Sequence, residues 1–117
     1  MRSIILVSSI LLAAMPGNAF AHAFLDHAEP RVGSTATSAP KEVVLWFTQK
    51  LEPAFSSIEV RNDRGAAMQA GKAAVIGGTQ LRVPLKALSP GTYKVFWRVL
   101  SVDTHQTQGD FSFRVGP

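Results

Sequence analysis

The residues of this sequence best suited to chemistry are its three histidines, His22, His27 and His105. Asp103 stands two residues before His105, and in an extended segment the side chains of residues i and i+2 point the same way. Asp103 and His105 can therefore present an oxygen and a nitrogen to one point. The alternative interpretation is a plain turn, in which Asp103 caps the loop backbone and His105 is merely exposed.

The first 21 residues have the pattern of a secretory signal peptide. Arg2 supplies the positive start, residues 4–15 form an apolar run broken only by two serines, and Ala19-Phe20-Ala21 offers a small-x-small cleavage site. The run is shorter than the roughly 20 apolar residues that a transmembrane helix needs. We expect cleavage after this triplet and a mature domain over residues 22–117. An uncleaved N-terminal tether is the alternative.

Cleavage would make His22 the N-terminal residue, which gives it two nitrogens for one metal ion, the α-amine and the imidazole Nδ1. The amine has a pKa of about 8, so a metal can displace its proton at neutral pH. Together with Asp103 and His105, His22 provides three nitrogens and one oxygen. Such a set suits Cu(II), whereas calcium and magnesium want oxygen ligands and zinc prefers tetrahedral geometry. Cu(I) prefers soft ligands, and residues 22–117 offer only Met68.

The composition is that of a small globular domain held together by packing. Hydrophobic residues make up 46% of the chain, so a core can form, and the absence of cysteine excludes disulfides and cysteine-based zinc sites. The 12 Lys and Arg residues exceed the 8 Asp and Glu residues, but they are scattered. Scattered basic residues are typical of a solvated surface, so we expect no nucleic-acid partner.

Short β-strands separated by turn signals account for most of the sequence after the signal peptide. β-Branched and alternating runs, bounded by Pro, Gly and Asn-Asp clusters, predict about seven strands. They are residues 24–28, 42–48, 57–61, 72–76, 81–83, 92–102 and 111–115. No segment has a helical stripe. The pattern predicts an all-β fold, an antiparallel Greek-key β-sandwich or barrel of immunoglobulin-like type. Trp46 and Trp97 are expected to be core anchors, with ligand-binding aromatics as the alternative.

Short motifs are spread along the chain after the signal peptide. They are His22-Ala23-Phe24-Leu25, Leu45-Trp46-Phe47-Thr48, Phe55-Ser56-Ser57-Ile58, Asn62-Asp63-Arg64-Gly65, residues 88–95, Trp97-Arg98-Val99, Ser101-Val102-Asp103-Thr104-His105 and Gly109-Asp110-Phe111-Ser112-Phe113. Together they resemble the CopC family of periplasmic copper-resistance proteins, over nearly the whole of residues 22–117.

The resemblance implies an immunoglobulin-like β-barrel that binds one Cu(II) ion and holds it for, or passes it to, an inner-membrane partner of the CopD type. The family's Cu(II) ligands fall on His22 (amine and Nδ1), Asp103 and His105. The chain is then expected to be periplasmic and monomeric, with no catalytic residue and no cofactor other than copper. Two departures are visible. Met68 stands alone where some members have a methionine-rich Cu(I) loop, and Gln49 stands where some have an acidic residue near the copper.

Two other functions remain open on the sequence alone. A copper oxidase built on a terminal histidine would also use His22, but Asp103 would add an anionic ligand that stabilises Cu(II) against reduction. An immunoglobulin-like interaction module would leave the histidines without a metal role. His27 stands five residues after His22. On a regular strand, this odd spacing would place it on the opposite face. We therefore expect a surface histidine rather than a ligand.

Overall fold

The computed structural model describes residues 25–117, which form two packed β-sheets. The chain forms eight strands and one 3-10 turn in this range. They are β1 (Leu25–Glu29), β2 (Thr35–Ala36), β3 (Glu42–Phe47), the 3-10 turn (Pro53–Phe55), β4 (Ser57–Arg61), β5 (Ala74–Ile76), β6 (Gln80–Pro84), β7 (Gly91–Leu100) and β8 (Gln106–Val115). One sheet has the order β1-β3-β6-β5 and the other β2-β8-β7-β4. No helix in this range is long and apolar enough to span a membrane.

The core lies between the two sheets and follows the alternation of side chains along each strand. In β7, Tyr93, Val95, Trp97 and Val99 are buried, whereas Lys94 and Arg98, which alternate with them, are exposed. Successive strand residues point to opposite faces, so one apolar face of each sheet is removed from water. The sequence prediction of an all-β, immunoglobulin-like sandwich is confirmed. The small β2, which pairs in parallel with β8, is an element that the sequence did not predict.

Two strand boundaries near the Asp-x-His segment differ from the prediction. β7 ends at Leu100 rather than at residue 102, and β8 begins at Gln106 rather than at residue 111. The first half of β8 is polar and lacks the apolar alternation on which the prediction relied. It is nevertheless a strand, because every residue from Gln106 to Val115 pairs with β7 in an unbroken ladder. Backbone hydrogen bonds extend this strand beyond its apolar part.

The two tryptophans have different environments. Trp97 is 6% exposed and meets Phe47 edge to face, with ring centroids 5.4 Å apart, so the prediction of a core anchor is confirmed. For Trp46 that prediction is wrong. Its side chain is half-buried on the outer face of its sheet, between the core residues Leu45 and Phe47, and it stacks on His27. An apolar strand residue next to core positions faces away from the core simply because the alternation places it there.

Gly109 is required where β8 passes beneath Trp97. The two residues are opposite each other in the β7–β8 ladder. A Cβ atom on Gly109 would lie 2.6 Å from Cζ2 and 3.0 Å from Cε2 of the indole. The indole of Trp97 also packs edge to face against Phe47. The missing side chain of Gly109 therefore creates the space that the buried indole occupies.

We predict that Gly109→Ala lowers the free energy of unfolding by about 1–3 kcal/mol, the usual cost of overpacking a core. The matched control is Gly71→Ala, where the added Cβ would lie 3.4 Å from Cγ of Pro84 and the residue is exposed. That control should be neutral or slightly stabilising. Urea unfolding of both variants checks the prediction. Equal midpoints would show that the indole moves aside without cost.

Candidate metal centre

Asp103 and His105 lie in the loop that joins β7 to β8. Nδ1 of His105 is 3.3 Å from Oδ1 of Asp103, so the structure brings the two side chains together. The sequence argument assumed that they meet because they alternate along an extended segment, but the segment is not extended. The loop is a tight turn in which Thr104 has a φ of 72°. A left-handed conformation costs a residue with a Cβ about 1–2 kcal/mol, so the rest of the loop must hold Thr104 in place.

Ser101 makes most of the hydrogen bonds that hold this turn. Its N–H donates to the carbonyl of His105 and its carbonyl accepts from the N–H of Thr104, both at 2.9 Å. Its hydroxyl donates to Oδ1 of Asp103 and accepts from the N–H of His105 at 3.2 Å. Ser101 is 0% exposed, whereas the side chains of Asp103 and His105 are 53% and 80% exposed. A buried serine thus supports two accessible donor groups.

The charge of Asp103 is stabilised by its neighbours. The Ser101 hydroxyl holds the pKa of the Asp103 carboxyl below its ordinary value, and the nearby His105 acts in the same direction, against an opposing effect of desolvation. Asp103 is therefore an anion at neutral pH. An exposed carboxylate next to an exposed imidazole provides one oxygen and one nitrogen for a cation.

Residues 48–56, which connect β3 to β4, brace the base of the loop and are called the bracing segment. The N–H of Val102 donates to the carbonyl of Lys50 at 2.9 Å, and Leu51 forms an isolated bridge with Ser101. Ser56 completes the brace, because its hydroxyl donates to the carbonyl of Glu52 at 2.9 Å. Both sheets contribute to this arrangement, since the bracing segment joins β3 of one sheet to β4 of the other.

The described chain begins close to this brace. Leu25, the first residue of β1, pairs with Phe47, the last residue of β3, from which the bracing segment continues. The expected signal peptide and His22 lie outside the described residues. Within residues 25–117, no group of three or more His, Asp or Glu side chains could hold a metal ion. Asp103 and His105 are thus two of the expected ligands, and the expected third ligand residue is not described.

His27 is a surface residue, as predicted, but for a different reason. Its side chain is 57% exposed, its Nδ1 lies 2.6 Å from Oδ2 of Asp26, and its ring stacks on Trp46 at a centroid distance of 4.3 Å. The pairing of β1 with β3 shifts register between Leu25 and His27. Such a bulge interrupts the two-residue alternation, so counting residues back from His27 no longer assigns a face.

The two departures noted in the sequence have clear structural environments. Met68 is partly buried and packs against the hydrophobic core, which makes it a packing residue. Gln49 is exposed and follows β3 at the start of the bracing segment. The sequence analysis missed Ser101 as a member of the site. Its signal was the alternation of β7, because Val95, Trp97 and Val99 are buried and Ser101 is the next residue in that series.

Comparison with known proteins agrees with the fold and the motifs. The model of the CopC domain matches residues 25–116. The chain belongs to the CopC family. Copper resistance protein C of Xanthomonas campestris pv. juglandis is 37% identical over 121 residues, covering 97% of this chain and 92% of that protein. The crystal structure of CopC from Methylosinus trichosporium OB3b superposes with a TM-score of 0.75 at 33% identity, covering 80% of this chain and 93% of the other.

A longer relative carries the CopC-like sequence as one part of a larger chain. Copper transport protein CutJ of Bacillus subtilis is 29% identical over 110 residues, which cover 92% of this chain but only 20% of CutJ. The match therefore accounts for about a fifth of the length of CutJ.

We predict that the Asp103 charge stabilises the metal-free fold at neutral pH and ceases to do so in acid. Because the pKa of folded Asp103 is depressed, its contribution is fully present above the ordinary carboxyl pKa of about 3.9 and is lost as the pH falls through the folded value. Asp103→Asn should therefore be less stable than the parent protein at pH 7, and the difference should shrink by pH 3. Urea midpoints at both pH values check this. A difference that does not change with pH would contradict it.

Proposed function

We propose that this CopC-family chain is a periplasmic copper-binding protein that holds one Cu(II) ion through His22, Asp103 and His105. The main support is that Asp103 and His105 lie together on an exposed loop, with Oδ1 and Nδ1 3.3 Å apart. The buried Ser101 holds this loop through its hydrogen bonds. The ion is cargo in this proposal. It is held or passed on, and no reaction is carried out on it. The copper resistance proteins among the relatives support a role in copper homeostasis.

The position of the described chain's first residue supports the participation of His22. Leu25 pairs with Phe47, directly before the segment that braces the copper loop. His22 is three residues earlier, and three residues span at most about 10 Å. After cleavage behind Ala21, the α-amine and imidazole of His22 would add two nitrogens to the oxygen and nitrogen of the loop. This donor set suits Cu(II).

The oxidation state follows from the character of the donors. Cu(I) prefers thioether or thiolate sulfur, but the chain has no cysteine and Met68 packs against the core. The anionic Asp103 favours the more highly charged Cu(II). The same carboxylate makes a carrier a better proposal than a copper oxidase, because stabilising Cu(II) opposes the reduction that oxygen activation needs.

CutJ supports an inner-membrane partner of the CopD type. In that copper transport protein a CopC-like sequence is joined to a much longer chain. A domain that is fused to a transporter in one protein is a candidate partner for a separate transporter in another. We therefore propose that this chain exchanges copper with such a membrane protein.

We predict that Asp103→Ala and His105→Ala each weaken Cu(II) binding by about 10-fold or more, because each removes a ligand from a small set. The matched controls are Asp26→Ala and His27→Ala, which disrupt the other aspartate–histidine pair of the described residues, with a 2.6 Å contact. These controls should leave the affinity unchanged. Competition titration against a Cu(II) chelator measures all four variants. If the His27 and His105 variants lost the same affinity, the proposed ligand set would be wrong.

We predict that one alanine inserted before His22 weakens Cu(II) binding by orders of magnitude, since the α-amine then becomes an amide that is a poor ligand. Mass spectrometry first establishes that the exported parent protein begins at His22. One alanine added after Pro117 is the control and should have no effect. Unchanged affinity in the N-terminally extended protein would rule out the terminal chelate.

A further inference from the structure

Ser101 is the one residue of the loop that is fully buried, and its hydroxyl lies against the Asp103 carboxylate. We propose that Ser101 is the positioning residue of the copper site. Its hydroxyl fixes one oxygen of Asp103 and thereby directs the other towards the metal. This inference rests on the proposed function, because it concerns how the same site holds its ion.

The proton of the Ser101 hydroxyl has two acceptors within reach, and the carboxylate is the better one. Oδ1 of Asp103 is the closer acceptor, whereas the carbonyl of His105 is 3.3 Å away. A hydroxyl has a single proton, and a bond to an ionised acceptor is roughly twice as strong as one to a neutral acceptor. The hydroxyl therefore donates to Asp103, and its lone pair accepts the N–H of His105.

The two contacts of the Asp103 carboxylate fall on the same oxygen. Oδ1 accepts the Ser101 hydroxyl and faces Nδ1 of His105 at 3.3 Å. This arrangement leaves Oδ2 of Asp103 and Nε2 of His105 as the atoms that can bind a metal ion. Both side chains are more than half exposed, so they depend on hydrogen bonds such as that of the buried hydroxyl for their orientation.

The same hydroxyl stabilises the backbone conformation that brings the ligands together. Thr104 is β-branched and has a φ of 72°, a conformation that such residues rarely adopt. The residues on both sides of it are tied to Ser101, since the carboxylate of Asp103 and the N–H of His105 both bond the hydroxyl. Loss of the hydroxyl therefore removes one hydrogen bond from Asp103 and one from His105 in one step.

Ser56 supplies a matched control for the loss of a buried hydroxyl. Ser56 is 8% exposed, and its hydroxyl donates to the carbonyl of Glu52 and accepts from the N–H of Leu100 at 3.4 Å. It therefore supports the base of the same loop but bonds neither Asp103 nor His105. Ser56→Ala and Ser101→Ala each remove one nearly or fully buried hydroxyl, and only the second touches the ligands.

The test measures Cu(II) affinity by chelator competition and the copper environment by electron paramagnetic resonance, on protein that begins at His22. We expect Ser101→Ala to lower the affinity by about 10-fold or more and to change the copper hyperfine coupling, as loss of a ligand's supporting partner does. Ser56→Ala should lower the urea midpoint but change the affinity and the spectrum far less than Ser101→Ala does. Equal effects of the two variants on copper would overturn the proposal.

A double-mutant cycle separates positioning from a general effect on the fold. If Ser101 acts through Asp103, then Ser101→Ala should cost little further affinity in a protein that already carries Asp103→Ala. Additive losses would overturn the proposal.

A metal-free readout distinguishes the positioning role of Ser101 from the proposed function. In apo Ser101→Ala, the carboxyl carbon resonance of Asp103 should shift and the His105 amide should exchange faster. A parent protein that binds no Cu(II) would refute the proposed function, even if these apo changes were seen.

Discussion

The pairing of β7 with β8 is the constraint on which the rest of the structure depends. The ladder joins Gly91 to Val115 at one end and Leu100 to Gln106 at the other without a break. Its inner face supplies much of the core, including Trp97, whose indole fits only because Gly109 has no side chain. The tip of this ribbon is the loop that carries Asp103 and His105. The core and the candidate metal centre thus share one element.

A ribbon tip would fray if nothing held it, and here the connection from β3 to β4 supplies the support. The Lys50 carbonyl accepts the N–H of Val102, and the N–H of Glu52 donates to the carbonyl of Leu100. The Ser56 hydroxyl bonds both Glu52 and the end of β7. Because this connection follows Phe47, the partner of Leu25, it places the loop of Asp103 and His105 and the beginning of the described chain at the same end of the sandwich. The proposed metal site depends on this common location.

The sequence predicted the fold class, and it predicted that Asp103 and His105 lie close together, because alternation and an Asp-x-His spacing are local signals. It could not predict features that depend on a partner strand. The polar start of β8 is a strand through its pairing with β7, and Trp46 faces outward although its neighbours are buried. The bulge before His27 appears only in the register with β3. The burial of Ser101 continues the alternation of β7, but the bonds of its hydroxyl to Asp103 and His105 depend on the turn, which the alternation does not specify.

A protein that must release its cargo needs ordered ligands and open access, and this loop combines them. The hydrogen bonds that hold Asp103 and His105 come from the buried side of the loop, where Ser101 is inaccessible to water. The side chains themselves remain 53% and 80% exposed, so a partner's ligands could approach the ion from above. Order that is supplied from the buried side reduces the entropic cost of binding without closing the site. In the proposed function, this asymmetry lets copper be held tightly and still be exchanged directly with another protein.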